Sequence, residues 1–271
     1  MLTYLFLQPL HASDRGIRQH AHEITHLELC GPQRLDDNFK DTISLLKKHH
    51  ATLEWLKLRM YLKKDAYGVF SIAYPRLKRL DLDYSGWWIL RNAPVLEELV
   101  LTCATIEDHP TVFNLIPAKL KTLKMDITPH YKFQRIPDIT RYFHRHSVQP
   151  NTTYFLQELV IHTHKMENVE MMLEGISHVK QLERLMIWYM DWDASQMDTF
   201  IDQLANGCHR LSCLKIHSLK TPSPHAVNAL KRLEYLSRFA FRIKDKDSTE
   251  GRFWDAIETL TQTKCIEICL H

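Results

Sequence analysis

Paired histidines and paired carboxylates are the places in this chain where residue type and spacing could support chemistry. His162-x-His164 puts two imidazoles on one side of an extended segment, and His144 and His146 lie nearby in sequence. That is half of a zinc ligand set. No cysteine or carboxylate completes it, and His20, His22 and His26 do no better. The seventeen histidines therefore read as surface side chains, several of which change charge between about pH 5 and 7. Asp81 and Asp83 share a face and could hold a cation or a basic partner; with Arg59 and Arg79 beside them, solvated paired charge is the plainer state. Six cysteines contain no C-x-x-C pair. There is no G-x-S-x-G, no H-E-x-x-H and no phosphate-cradling glycine loop. No catalytic residue, no metal and no cofactor is expected.

Tryptophan and arginine dominate the energetics of protein interfaces. Trp55 and Trp188 are both expected on strands, exposed, with Arg59 and Arg184 close by. Outward strand positions fall into rows that mix both charges with aromatics, which suits a protein or peptide ligand better than a polyanion. The expected binding residues are Trp55, Arg59, Arg79, Asp81, Asp83, Glu98, Lys124, Arg184, Trp188, Lys215, His217 and Arg242. Trp87, Trp88 and Tyr131 are candidates for the rim; for the two tryptophans the alternative is filling a gap beneath a shortened connector.

Those positions depend on a motif. Leucine-x-x-leucine-x-leucine, with other apolar residues sometimes substituting, begins at Leu2, Ile24, Leu53, Leu77, Leu96, Leu120, Leu156, Leu182, Leu211, Leu236 and Thr263. In Leu77-Lys78-Arg79-Leu80-Asp81-Leu82, Leu80 and Leu82 share one side of a strand while Arg79 and Asp81 take the other. Between strands the apolar rhythm becomes helical over 37–50, 168–178, 195–208, 224–230 and 253–261. Asp193 or Ser195 is the expected cap of the third of these, and Asn206-Gly207 its end. A repeat of roughly 20–30 residues with this core predicts a leucine-rich-repeat solenoid. The expectation is an α/β fold: a right-handed β-α superhelix with a curved parallel sheet on its concave face. It forms a single domain, 1–271, of about eleven repeats, with an enlarged repeat at 120–155. Its ends lack the polar caps solenoids need, so the chain is expected to be a fragment, a truncated product or a protein covered there by a partner.

Composition narrows the class. Apolar residues make up 45 % of the chain, an ordinary globular share. The formal net charge is +3 with basic residues dispersed, so a nucleic-acid partner is not implied. The first ten residues are too short and uncharged for a signal peptide, and no apolar run is long enough for a membrane span. Asn151-Thr152-Thr153 fits a glycosylation sequon by chance. A reduced, cytoplasmic or nuclear chain is expected.

Asn92-Ala93-Pro94-Val95-Leu96-Glu97-Glu98-Leu99-Val100-Leu101-Thr102-Cys103 resembles the repeat of F-box proteins with leucine-rich repeats. So does 204–216, which ends in Leu211-Ser212-Cys213-Leu214-Lys215-Ile216, and Tyr74-Pro75-Arg76-Leu77 is a looser version. The resemblance implies a substrate-binding repeat region of a ubiquitin ligase receptor. An F-box binding the ligase adaptor would lie before the repeats, and none is present ahead of Leu2. The alternative is a non-catalytic repeat scaffold with no ubiquitin link.

Overall fold

Several strands start with the same local move. The first leucine of the motif donates its N–H to the carbonyl three residues back: Leu77 to Tyr74, Leu96 to Ala93, Leu182 to Val179, Leu211 to Cys208 and Leu236 to Leu233, at 3.0–3.3 Å. This turn tucks the leucine inward. The next carbonyl along then receives two N–H groups from the following strand's entrance. Glu183 O accepts from Ser212 N and Cys213 N at 2.8 and 3.1 Å, and Ser212 O accepts from Ser237 N and Arg238 N at 2.9 and 3.1 Å. The forked bond locks register before the strand begins. A slip of one residue would exchange the inward and outward sets.

In a computed structural model of the chain, the described residues are 4–7, 24–30, 39–60, 71–84, 86–109, 111–127, 136–148, 155–163, 169–190, 192–218, 222–241, 251–263 and 267–270. They form two compact units, Met1–Leu120 and Lys121–His271.

In the first unit the strands are β1 (Tyr4–Leu7), β2 (His26–Cys30), β3 (Trp55–Arg59), β4 (Arg79–Leu82) and β5 (Glu98–Thr102). They pair in chain order, all parallel, with Leu27, Leu56, Leu80 and Leu99 on one rung and Leu29, Leu58, Leu82 and Leu101 two residues on. All eight of these leucines are buried. Helix α1 (Phe39–His49) links β2 to β3, whereas β4 leads into a 3-10 helix, Trp87–Asn92. Gly86 opens that helix with φ +103°, and a Cβ there would lie 2.9 Å from methyls of both Leu58 and Leu82. Only glycine supplies this backbone without strain. After β5 come a six-residue helix, α2 (Cys103–Asp108), and a 3-10 turn, Val112–Asn114.

The second unit has β6 (Thr122–Ile127), β7 (Glu158–Thr163), β8 (Arg184–Met190), β9 (Cys213–Ser218), β10 (Arg238–Phe241) and β11 (Glu267–Leu270), again parallel and in chain order. Its helices are α3 (Ile136–Val148), α4 (Val169–Ser177), α5 (Ala194–Gly207), α6 (Pro224–Ala229) and α7 (Gly251–Thr263). Each helix packs on the next, α3 on α4 through α6 on α7, so they form one layer. Right-handed crossovers between parallel neighbours require that arrangement. Met172, Ile176, Phe200, Leu204, Val227, Phe253 and Leu260 from the helices are buried, as are Leu185, Ile187, Leu214, Ile216, Phe239 and Phe241 from the strands. Each leucine so buried contributes about 1.5–3 kcal/mol. Asp193 caps α5: its Oδ1 accepts from Gln196 N at 2.8 Å, and its own N–H donates to Gln196 Oε1 at 3.1 Å. Ser223 caps α6, with Pro224 in the first turn.

The leucine-rich-repeat solenoid expected above is corrected. A right-handed superhelix with a curved concave sheet gives way to a compact α/β arrangement of parallel strands with flanking helices. The motif specifies less than was read from it. An in-turned residue at the entrance and two inward residues at alternate positions are what a parallel strand needs when one side is covered. The motif leaves the connector free. The connectors here range from a 3-10 helix to an α-helix of 14 residues. A regular superhelix needs each repeat to offer its neighbour the same geometry.

Candidate functional site

With the leucine side covered, the other side of each sheet carries the charged and aromatic residues. In the first unit these neutralise one another. Arg79 grips the carboxylate of Asp81 two residues along its own strand, Nε to Oδ1 at 3.0 Å and Nη2 to Oδ2 at 3.1 Å. Its Nη1 also lies 3.4 Å from Glu98 Oε1. These carboxylates, the Asp81 bond foremost, hold the Arg79 guanidinium even more firmly protonated than usual. The same guanidinium sits 5.5 Å from the ring of Trp55, whose edge meets His26 at 5.8 Å. Glu28, only 6 % exposed, is paired by Lys57 at 2.8 Å and approached by Arg59 at 3.9 Å. Burial, then the adjacent Glu28 charge, pushes the Cys30 thiol up. Asp83 is half-buried, and its carbonyl accepts from the Thr102 hydroxyl. Trp55, Arg59, Arg79, Asp81, Asp83 and Glu98 thus lie together, with three cations (counting Lys57) facing four carboxylates (counting Glu28) among the described side chains.

The second unit's face is built differently. Asp126, His162, Trp188 and His217 occupy one rung of β6 to β9. Trp188 is sandwiched: His162 lies 5.5 Å away at 32°, and His217 stacks on it at 3.9 Å and 15°. Near the strand entrances Glu158, Arg184, Cys213 and Arg238 share another rung, with Arg184 Nη2 2.9 Å from Glu158 Oε2. Between these rungs lie Lys124, Val160, Met186, Lys215 and Ala240. The charged residues of this face are Lys124, Arg184, Lys215 and Arg238 with Asp126 and Glu158, and Glu267 of β11 stands opposite Arg238 in the backbone register. Arg184, His162, Asp126 and Arg238 are exposed; Lys124, Trp188, Lys215 and His217 are half-buried.

Other expected residues fall elsewhere. Trp88 is buried beneath the 3-10 helix, whereas Trp87 is half-exposed, with Arg91 5.8 Å over its ring and His109 at 5.1 Å. Arg242, Tyr131 and His164 lie outside the described residues. His144 meets His178 at 4.6 Å between α3 and α4, and His146 is turned into the interior against Tyr142 at 5.1 Å. Among the described residues no group of His, Cys, Asp or Glu is placed to hold a metal ion. An open cleft of about 330 Å³ lies near the strand-entrance edge of the second unit, lined by Glu183, Arg210, Ser212 and Tyr235. Among the described residues, no helix is long and apolar enough to cross a membrane.

Sequence reasoning singled out neither Glu158 nor Arg238 as a site residue, and weighed His162 only as a metal ligand. Their importance comes from what stands beside them across the sheet, which only register reveals.

No protein-family model matches this chain, and no curated protein matches it either. The compact α/β fold corrects the resemblance to F-box leucine-rich-repeat proteins, and the reading as the substrate-binding half of a ubiquitin ligase receptor falls with it. Residues 92–103 and 204–216 share with that family a helical or 3-10 end, a turn and a strand entrance, the local pieces any parallel α/β connection of this kind requires.

Proposed function

We propose that the sheet face opposite the helices in the second unit holds a segment of another protein, without catalysing a reaction. The observation that carries this reading is Trp188, half-buried between two imidazoles and set among unlike charges. A fixed aromatic anchor amid polar neighbours is the composition of an interface hot spot. Strands in chain order also lack the reversal at which doubly wound sheets bind nucleotides. The free thiols of Cys30, Cys103, Cys208 and Cys213 support a place in the cytoplasm or nucleus.

The test is a random-peptide phage selection on the full chain. Selected peptides should lose at least about tenfold in affinity for Trp188→Ala, the loss typical of a hot-spot tryptophan. Trp188→Phe, which keeps the stack, should retain most of the affinity and reports on folding. Peptides that bind Trp188→Ala as well as the parent would remove the reading.

A further inference from the structure

We infer that the cleft at the strand-entrance edge of the second unit binds a free α-amino acid with an apolar side chain, its ammonium on Glu183 and its carboxylate on Arg210. This site is independent of the face proposed above. Trp188 lies five residues along the chain from Glu183, roughly 16 Å of extended backbone.

Two rows of residues build the cleft. In one, Ser212 stands beside Glu183, and its N–H and hydroxyl both donate to the Glu183 carbonyl, at 2.8 and 3.0 Å. In the other, two residues earlier in the chain, are Gln181 before Glu183 and Arg210 before Ser212, with Tyr235 before Ser237 on the next strand entrance. Ser212 is short and its hydroxyl is turned onto the backbone. It therefore floors a space walled by Glu183, Arg210 and Tyr235. That space is about 330 Å³, enough for one amino acid.

Both charges are oriented and neither is cancelled. Arg210 Nη1 donates to Gln181 Oε1, and Gln157 Nε2 donates to Glu183 Oε1 at 3.4 Å. Each partner is a neutral amide, which fixes the direction of a charged group and leaves its charge intact. The guanidinium keeps further N–H donors for a ligand, and the carboxylate keeps its second oxygen.

The pairing of signs selects the ligand. A simple cation would be repelled by Arg210, and a simple anion by Glu183. A molecule with both charges on one short carbon frame is attracted by each. Lys180 and Glu234, exposed beside Gln181 and Tyr235 in the chain, balance in the same way. Tyr235 is 62 % exposed, so its ring gives the third wall an apolar surface on which a side chain can lie.

Isothermal titration calorimetry with the full chain decides it. The probes are L-phenylalanine, N-acetyl-L-phenylalanine, L-phenylalaninamide and an Ala-Phe-Ala tripeptide blocked at both ends. L-phenylalanine should bind, and blocking either of its charges should weaken it at least about tenfold, the worth of one charge-assisted hydrogen bond. Glu183→Gln should weaken L-phenylalanine by a similar factor while N-acetyl-L-phenylalanine gains affinity, since its repelling carboxylate is gone. Arg210→Gln should likewise weaken L-phenylalanine and favour L-phenylalaninamide. Glu258→Gln, an equal charge change at an exposed position of α7, should leave L-phenylalanine binding unchanged, and all three variants should keep the parent's urea midpoint. No heat from L-phenylalanine at millimolar concentration would overturn the inference. So would equal binding of the free and singly blocked forms, or indifference to both Glu183→Gln and Arg210→Gln. A blocked tripeptide that binds as tightly as L-phenylalanine would give the cleft to a peptide chain and overturn it too.

Discussion

The rings of Trp188 and His217 lie nearly parallel, 3.9 Å between centroids and 15° between planes, on adjacent strands. The stack holds a half-exposed indole in one orientation, which reduces the entropy lost when a ligand arrives. A double-mutant cycle over Trp188→Ala and His217→Ala, read by urea unfolding, should give a coupling of about 0.5–1.5 kcal/mol, the usual worth of an aromatic pair. Coupling indistinguishable from zero would mean the contact does not organise the surface.

Gly207 ends α5 against the carbonyl of Ser177, at the end of α4. A Cβ there would stand 2.0 Å from that oxygen and 2.9 Å from its carbon, both backbone atoms that cannot swing away. Gly207→Ala should therefore cost roughly 1–3 kcal/mol or more of stability by forcing the two helix ends apart. Gly251→Ala is the control, since nothing lies within 4 Å of its added carbon. It should change stability by less than about 0.5 kcal/mol. Equal unfolding midpoints for the two variants would refute the close approach.

Much of the secondary structure was legible and the family was not. Strands such as Arg79–Leu82 and Arg184–Met190 follow from two-residue alternation, because covering one side of a parallel strand leaves no other arrangement for the leucines. The helix expected over 195–208 is found at Ala194–Gly207, capped by Asp193, because side chain and backbone signals coincide there. Local signals end at the strand. They do not say whether successive connectors share a geometry, and the 3-10 helix at Trp87–Asn92 beside an α-helix at Ala194–Gly207 shows how far these diverge. The binding face was legible as rows and illegible as pairs. That Arg79 binds Asp81 on its own strand, while Arg184 reaches across to Glu158, depends on side-chain rotamers that spacing does not encode.

Cys208 follows Gly207 and is wholly buried. Its Sγ donates toward three carbonyls, those of Ile176, Ser177 and Val179, at 3.6–3.7 Å. Those groups end α4, so the thiol acts as a cap supplied from the next connection. Burial pushes its pKa up to about 12, and a thiolate is the reactive form. Iodoacetamide at pH 8 should label the half-exposed Cys103 in the native chain and leave Cys208 unmodified until urea is added. Mass spectrometry of native, alkylated protein carrying the label on Cys208 would contradict this environment.

His146 supplies the chain's clearest pH dependence. Its imidazole is turned inward on α3, and burial, aided by the positive charge of Arg145, lowers its pKa from 6.5 to about 4. The unfolded chain therefore binds a proton at this site between those values while the folded chain does not. Stability from the neutral ring is fully present above pH 6.5, declines as pH falls, and is gone below about 4. The swing is on the order of 3 kcal/mol, since each pKa unit corresponds to about 1.4 kcal/mol. His49 is shifted in the same direction, by burial and then by Lys48, and adds to the slope. Urea unfolding from pH 7 to 4 should show the loss, and His146→Gln should flatten most of it while lowering stability at pH 7. A parent and variant with parallel pH profiles would place the imidazole in water and not in the helix layer.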